Sequence, residues 1–248
     1  MANAIGIRRE DKYEWERRAP LTPSHVARLV QAGVDVYVQP STLRVFSEEA
    51  YRQAGARVQE DLSPCEVVVG VKEMPQEFFA QGKTYLFFSH TAKGQPYNMP
   101  MLRQMMALGC TLIDYEKVVD DEGRRLIFFG RHAGLAGAIE TLHALGRRLA
   151  LEGIPNAFAA IGHAHQYHDL TEAKAVVARA GESIRREGLP EAIAPLTIGV
   201  TGYGNVSRGA WEILDLLPMR VVDPSEMPAI SGSEAPDRHV VYGTTFKE

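Results

Sequence analysis

The chain has 248 residues and a formal net charge of -4, so it lacks the basic surplus expected of a nucleic-acid-binding protein. Its 45% apolar and 23% charged residues are typical of a globular protein, and no apolar run approaches the roughly 18 residues that a membrane span needs. Charged side chains appear by Arg8, which argues against a secretory signal, and the two cysteines indicate reduced thiols of a cytoplasmic protein.

Short apolar strands alternate with helices along the first half of the chain. Ala4–Ile7 is the first predicted strand, and a helix follows with Thr22 as its N-cap, Pro23 in its first turn and Gly33 after its end. Ser47 is positioned to cap a second, short helix. Further strands are predicted at "DVYVQ", "EVVVGV", Thr84–Ser89 and Thr111–Glu116. Nearly continuous apolar strands separated by helices predict a doubly wound parallel sheet that is covered on both faces.

The second half begins with helices and ends with a new strand–turn–helix. A short strand is predicted near Leu126–Phe129, and a long helix from about Ala133 to Leu151. A second helix, "LTEAKAVVARAGESIRREG", leads to the proline-containing linker "LPEAIAP". We therefore expect a catalytic domain at 1–132, connecting helices at 133–195 and part of a Rossmann-like dinucleotide-binding domain at 196–248, which is too short for the complete fold.

The segment "TIGVTGYGNVSRGA" places glycines directly between a strand and a helix. Glycines there allow a tight turn and the approach of a pyrophosphate to the amides of a helix N-terminus. Ser207 occupies the third position of the usual motif, and Asp223 follows the next strand where a ribose-binding carboxylate is expected. The alternatives are a turn that binds nothing and ordinary turn chemistry at Asp223. The predicted cofactor contacts are Gly202, Gly204, Asn205, Val206, Gly209 and Asp223.

Charged residues follow three consecutive predicted strands. Lys72 and Glu73 end the third main strand, His90 ends the fourth, and Asp114 and Glu116 end the fifth. Ligands of doubly wound sheets bind beyond the carboxyl ends of the strands. A lysine, a histidine and a carboxylate at one edge are the groups that general acid–base catalysis uses near neutral pH. Solvated strand ends are the alternative interpretation.

Two arginine pairs and a histidine cluster are further candidates. The arginines of "WERRAPLTP" and "DEGRRLIFF" suit bidentate binding of a carboxylate, although each is also compatible with an ordinary surface position. The segment "GHAHQYHD" contains His163, His165 and His168, but its spacing matches no common zinc pattern. We interpret it as a polar loop or interface cluster and predict no metal.

These motifs together resemble those of the lysine-ketoglutarate reductase and lysine-forming saccharopine dehydrogenase family. That family is similar to the N-terminal part of alanine dehydrogenases and transhydrogenases. The resemblance is carried by "RREDKYEWERRAPLTP", "VVVGVKEMP", "KTYLFFSHTAKGQ", "LIDYEKVVDDEGRRLIFFGRHAGLAGA" and "PLTIGVTGYGNVSRGA". It covers residues 8–210, in the family's order, and the combination of "FFSHT" with "IDYEKVVDDEGRR" favours the reductase branch.

The resemblance implies a role for each matching residue. Lys72 and His90 correspond to the acid–base groups, and Glu73 and Glu116 to the active-site carboxylates that tune them. Arg18 and Arg125 correspond to ligands of substrate carboxylates. The chain ends before the family's nucleotide domain is complete, which is expected of a fragment, of a truncated gene product or of one part of a split protein.

The activity implied by the resemblance joins lysine to 2-oxoglutarate and reduces the product to saccharopine with NAD or NADP. Asp223 slightly favours NAD. The alternatives are an alanine-dehydrogenase-like enzyme and a non-catalytic fragment that binds substrate. The expected partners are the small molecules lysine, 2-oxoglutarate and saccharopine, with no nucleic acid and no membrane, and the oligomeric state is left open.

Overall fold

A computed structural model describes residues 3–246 and divides the chain into two compact units, one ending at Phe128 and the other beginning at Phe129. The first unit contains one six-stranded sheet. Its strands are β1 (Ala4–Ile7), β2 (Asp35–Val38), β3 (Arg57–Val58), β4 (Val67–Val69), β5 (Thr84–Phe87) and β6 (Thr111–Asp114). Its helices are α1 (Pro23–Gln31), α2 (Glu48–Gln53) and α3 (Met99–Ala107).

The sheet of the first unit is parallel throughout, in the order β3-β2-β1-β4-β5-β6. Neighbouring strand residues face opposite sides: Val68 belongs to the core cluster that contains Met105 of α3, and Val69 to the cluster that contains Val26 of α1 and Tyr51 of α2. Helices thus cover both faces, and the predicted doubly wound parallel sheet is confirmed. This order reverses direction between β1 and β4, which is where such sheets bind ligands.

The predicted helix caps of the first unit are present. The Thr22 hydroxyl accepts a hydrogen bond from the His25 backbone N–H, and the Ser47 side chain accepts one from the Ala50 N–H. These bonds satisfy amides that the first turn of a helix otherwise leaves without a partner.

The predicted strand at Leu126–Phe129 is wrong. The segment joins neither sheet of the described chain, and only Arg125, just before it, forms an isolated bridge to Val119. Leu126 and Phe128 are 58% and 49% exposed, and Phe129 is the N-cap of the next helix. The run has strand-forming residues, but no neighbouring strand supplies the hydrogen bonds that would make it a strand.

The second unit combines two long helices with a small parallel sheet. Its sheet has the order β7-β9-β8, so β9 separates the other two strands. The sequence did not predict β9. The helices that were predicted as connectors belong to this second unit. The division of the chain into three parts stays a prediction. The elements are α4 (Gly130–Leu151), α5 (Leu170–Glu187), β7 (Thr197–Thr201), α6 (Asn205–Leu214), β8 (Met219–Val221), α7 (Met227–Ser231) and β9 (Val241–Phe246).

Two glycines allow α4 and α6 to pack in close contact. A Cβ atom on Gly134 of α4 would lie 1.9 Å from the carbonyl oxygen of Val206, and one on Gly209 of α6 would lie 2.0 Å from that of Arg131. Such distances exclude any side chain at either position. Between residues 3 and 246, every helix is too short or too polar to span a lipid bilayer.

Candidate active site

The carboxyl ends of β4, β5 and β6 bring the predicted acid–base residues to one edge of the first sheet. These three strands are neighbours, and Lys72, His90 and Glu116 each follow one of them within three residues. The pairing continues past the strands, since the Phe88 backbone N–H donates to the Val71 carbonyl oxygen at 3.1 Å. The sheet therefore places a lysine, a histidine and a carboxylate at the edge where ligands of this fold bind.

A buried carboxylate fixes the backbone at Lys72. Glu10 follows β1 and is 8% exposed. Its Oε1 accepts the Val71 N–H at 2.7 Å, and its Oε2 accepts the Lys72 N–H at 2.9 Å. Burial raises the pKa of Glu10, although the two amides act in the opposite direction. This link between the ends of β1 and β4 was not predicted.

The charge of Lys72 acts on the carboxylate of an arginine–carboxylate pair. Its Nζ is 5.7 Å from the centre of the Tyr13 ring. Glu16, which is almost buried, accepts hydrogen bonds from Arg18 Nε at 2.8 Å and Nη2 at 2.6 Å. The bonds from Arg18 lower the pKa of Glu16 against the effect of its burial, and the charge of Lys72 adds to this. The half-exposed guanidinium is thus held in a fixed orientation, as recognition of a carboxylate requires.

Glu73 connects the ends of β4 and β5. Its Oε2 lies 2.7 Å from Lys12 Nζ, and its Oε1 accepts a bond from Asn98 Nδ2 at 3.1 Å. The same Asn98 group donates to the Ser89 carbonyl oxygen at 2.8 Å. Burial raises the pKa of Glu73, but the bonds from Lys12 and Asn98 outweigh it and leave the pKa below its usual value. Glu73 is therefore ionised at neutral pH, and it borders an open cavity of about 510 Å³.

His90 occupies an unusual backbone conformation. Among the described residues it is the one non-glycine with a positive φ, at 52°. Its Nδ1 is 3.6 Å from Oε1 of Glu116, and Arg125 Nη2 is 3.7 Å from that same oxygen. An imidazole and a guanidinium thus face a carboxylate that is only 10% exposed. Strained backbone of this kind concentrates at functional sites, where surrounding contacts hold it in place.

A further buried carboxylate supports His90 and Glu116. Asp114 is 7% exposed and accepts a short hydrogen bond from the Ser89 hydroxyl. Its Oδ1 accepts the Glu116 N–H at 2.8 Å. Asp114 therefore ties the residue before His90 to the backbone of Glu116.

The predicted residues consequently fall into connected groups within the first unit. His90, Glu116 and Arg125 form one. Arg18 is bound by Glu16, on which the charge of Lys72 also acts, and Glu73 contacts Lys12 and Asn98. The residues that were not predicted are Glu10, Lys12, Glu16 and Asn98. Three of them lie in "RREDKYEWERR", directly after β1, so the rule that was applied to the later strand ends points to them as well.

The glycine turn of the second unit has the shape of an anion-binding site. Gly202 has a φ of +80°, and Gly204 is the N-cap of α6 without a side chain to cap it. A Cβ atom on either glycine would meet nothing within 4 Å, so the backbone is open to a ligand. Asn205 and Val206 begin the helix, whose amides carry partial positive charge. This turn therefore fits a pyrophosphate, whereas Gly209 packs against α4.

Asp223 has a local structural role. Its carboxylate accepts the Ser225 N–H at 2.9 Å and the Ser225 hydroxyl at 2.6 Å, and these bonds lower its pKa. In the usual dinucleotide fold the first two strands are adjacent, but here β9 lies between β7 and β8. The carboxylate thus fits a ribose site less well than the turn fits a pyrophosphate, and its ribose contact stays a prediction.

The strand order and the charged edge of the first unit define an α/β domain of the class that binds small ligands beyond its strand ends. Residues 6–136 match the family model described as alanine dehydrogenase/PNT, N-terminal domain. The chain belongs to this family.

Curated relatives extend the similarity into the second unit. The chain is 43% identical over 232 residues to alpha-aminoadipic semialdehyde synthase of Arabidopsis thaliana, covering 91% of this chain and 22% of the relative. It is 42% identical over 242 residues to the mitochondrial alpha-aminoadipic semialdehyde synthase of Rattus norvegicus, covering 98% of this chain and 26% of the relative. The chain thus spans about a quarter of these proteins. A lysine-forming, NAD(+) saccharopine dehydrogenase of Yarrowia lipolytica is 37% identical over 128 residues, covering 50% of this chain and 35% of the relative.

A solved structure shows the same fold. An L-alanine dehydrogenase matches with a TM-score of 0.60 at 21% identity, covering 98% of this chain and 60% of that one. A transhydrogenase from Sinorhizobium meliloti matches with a TM-score of 0.58 at 16% identity, covering 96% and 63%.

Proposed function

We propose that the chain carries the substrate site of a saccharopine-forming oxidoreductase, which joins lysine to 2-oxoglutarate and reduces the product with NAD or NADP. The arrangement of Lys72, His90 and Glu116 at adjacent strand ends is the observation that carries the proposal. The names of the relatives support the choice of substrates.

The substrates carry carboxylates, and the site offers guanidinium groups for them. Arg18 is held by Glu16, and Arg125 lies near Glu116, so each is oriented while remaining partly exposed. A planar guanidinium binds a carboxylate through two parallel hydrogen bonds. We propose that these arginines bind the substrate carboxylates.

Joining an amine to a ketone and losing water requires several proton transfers. We propose Lys72 and His90 as the groups that exchange these protons, and Glu73 and Glu116 as the carboxylates that set their charge. A bound nicotinamide cofactor supplies the hydride for the reduction. Gly202, Gly204, Asn205 and Val206 would hold its pyrophosphate. The slight preference for NAD over NADP stays a prediction, as does the cytoplasmic location. The contacts of Gly209 and Asp223 with the cofactor also stay predictions.

The test is the oxidation of NADH or NADPH by the protein in the presence of lysine and 2-oxoglutarate, with saccharopine identified by mass spectrometry. Lys72→Met and His90→Gln are each expected to lower turnover by roughly two to four decades. Turnover at the unmodified rate in both variants would remove these residues from the mechanism. Turnover of pyruvate and ammonia instead would favour the alanine-dehydrogenase-like alternative.

A binding role without catalysis is a second candidate, because the proposed substrate residues and the glycine turn belong to separate compact units. Titration calorimetry separates the two. Binding of 2-oxoglutarate without any binding of NADH or NADPH favours the binding role, and binding of both favours the enzyme.

A further inference from the structure

We propose that Glu140, His163 and His165 of the second unit form a binding site for a divalent transition metal, with zinc as the first candidate. One donor atom from each residue lies within 4.8 Å of the other two. Glu140 belongs to α4, and the histidines belong to the segment between α4 and α5. The histidine spacing alone did not predict this site, because its carboxylate comes from a helix more than twenty residues earlier.

Hydrogen bonds and a ring contact already hold the proposed ligands close together. His163 Nδ1 lies 2.8 Å from Glu140 Oε2, and the other oxygen of Glu140 accepts the Ala164 N–H at 2.8 Å. The rings of His163 and His165 are 5.3 Å apart between centroids and inclined by 24°. Glu140 is thus attached to the loop that carries both histidines.

His143, one turn after Glu140, restricts the ring of His163 further. The centroids of the two rings are 3.9 Å apart, and His143 Nδ1 lies 2.7 Å from the Ile161 carbonyl oxygen. Since a carbonyl oxygen only accepts, this nitrogen carries the proton. His143 therefore acts as a fixed surface beside the proposed site.

The donor set suits zinc. Two imidazoles and a carboxylate are typical ligands of Zn²⁺, whose ligands stand roughly 3.3 Å apart in a tetrahedron with bonds near 2.0–2.1 Å. His165 is the exposed member of the three, so a rotation of its side chain is able to close the remaining distance. Three protein ligands leave a position for water. A bound ion would tie α4 to the segment before α5.

The test is calorimetric titration of the complete chain with zinc chloride, after chelator treatment and removal of any polyhistidine tag. One equivalent of zinc is expected to bind. His163→Ala and Glu140→Gln are each expected to weaken binding by at least about tenfold. His168→Ala is the matched control, since His168 lies in the same segment with a side chain that is 92% exposed and is expected to leave the affinity unchanged.

Circular dichroism checks that each variant is folded, and zinc is expected to raise the Tm of the parent chain but not of the Glu140→Gln variant. Three results would overturn the proposal: no heat of binding at millimolar zinc, undiminished binding by both ligand variants, or an equal loss in His168→Ala. An equal loss in His168→Ala would show that surface histidines in general bind the zinc. The absence of any heat of binding would leave the cluster as a hydrogen-bonded histidine–carboxylate pair.

Discussion

The positive φ of His90 destabilises the folded chain, and we attribute its presence to the position of His90 in the proposed site. At a φ of 52°, a Cβ atom crowds the neighbouring carbonyl oxygen, and glycine avoids this. We predict that His90→Gly is more stable to urea unfolding than His90→Ala by about 1 kcal/mol, the reverse of the usual preference. Both variants lose the imidazole, so both are expected to be inactive.

The matched control for His90 is Gly82, which has a φ of +74° and open space where a Cβ atom would lie. Gly82→Ala therefore tests backbone strain without a steric contact, and it is expected to destabilise by about 1 kcal/mol. Equal stability of the two His90 variants would show that the backbone relaxes after substitution.

The charge of Glu73 makes stability depend on pH. Its pKa in the folded chain lies below the ordinary 4.5, so its contribution to the free energy of unfolding is complete above that value and is lost as pH falls through the folded pKa. We predict that Glu73→Gln loses less stability than the parent chain between about pH 5 and pH 3. Urea unfolding at several pH values measures the difference.

The pKa shift of Glu10 has the opposite direction to that of Glu73. Burial raises its pKa, so protonation on acidification favours the folded state. Glu10→Gln is therefore expected to show a steeper loss of stability than the parent chain over the same range. The same sign of change in both variants would contradict this assignment of their pKa shifts.

At the residue scale, the sequence predicts those parts of the site that follow apolar strands. Lys72, His90 and Glu116 were found in this way, because the end of a buried strand is a readable position. Asn98 was missed, because its contact with Glu73 depends on the path of the loop before α3. Glu10 was missed for a similar reason: its bonds cross from one strand end to another that lies 61 residues later.

The contact between α4 and α6 is the most demanding packing of the second unit. Gly134→Ala would place a methyl group 1.9 Å from the Val206 carbonyl oxygen and force the helices apart. We predict a loss of about 1–3 kcal/mol in the free energy of unfolding, measured with urea.

Gly137 is the control for Gly134, because it lies in the same helix and a Cβ atom there would meet nothing within 4 Å. Gly137→Ala is expected to stabilise by about 1 kcal/mol through helix propensity alone. A stabilising effect of Gly134→Ala as well would show that the two helices do not pack this closely.

At the element scale, the composition of the sequence predicts where strands lie better than it predicts which strands pair. The apolar runs located β1, β2 and β4 to β6, and periodicity located α4 and α5. The error at Leu126–Phe129 arose because strand-forming side chains do not ensure a neighbouring strand. The sequence did not predict β9, because this segment is a strand only through its pairing with β7 and β8, which lie far from it in the sequence.

At the scale of the whole molecule, the proposed substrate residues and the glycine turn belong to different compact units. The two binding functions are therefore expected to be separable. Gly204→Asp would place a carboxylate at the N-cap of α6, where nothing obstructs it. We predict that the variant keeps its affinity for 2-oxoglutarate, loses affinity for NADH and NADPH, and gains a few tenths of a kcal/mol in stability.

Gly204→Ser distinguishes charge from bulk, since serine is also a good N-cap but is neutral. Calorimetry of both ligands with both variants gives the comparison. Unchanged cofactor affinity in Gly204→Asp would place the cofactor elsewhere, and a parallel loss of 2-oxoglutarate binding would show that the two functions are coupled.

Glu10 has a consequence for which molecules the first unit accepts. Many sheets with this strand order use the crevice beyond their first strand for phosphate groups, which backbone amides bind. Here a protein carboxylate already receives the amides of Val71 and Lys72. These two amides are therefore already occupied, so we expect the crevice to bind metabolites without a phosphate group in preference to nucleotides.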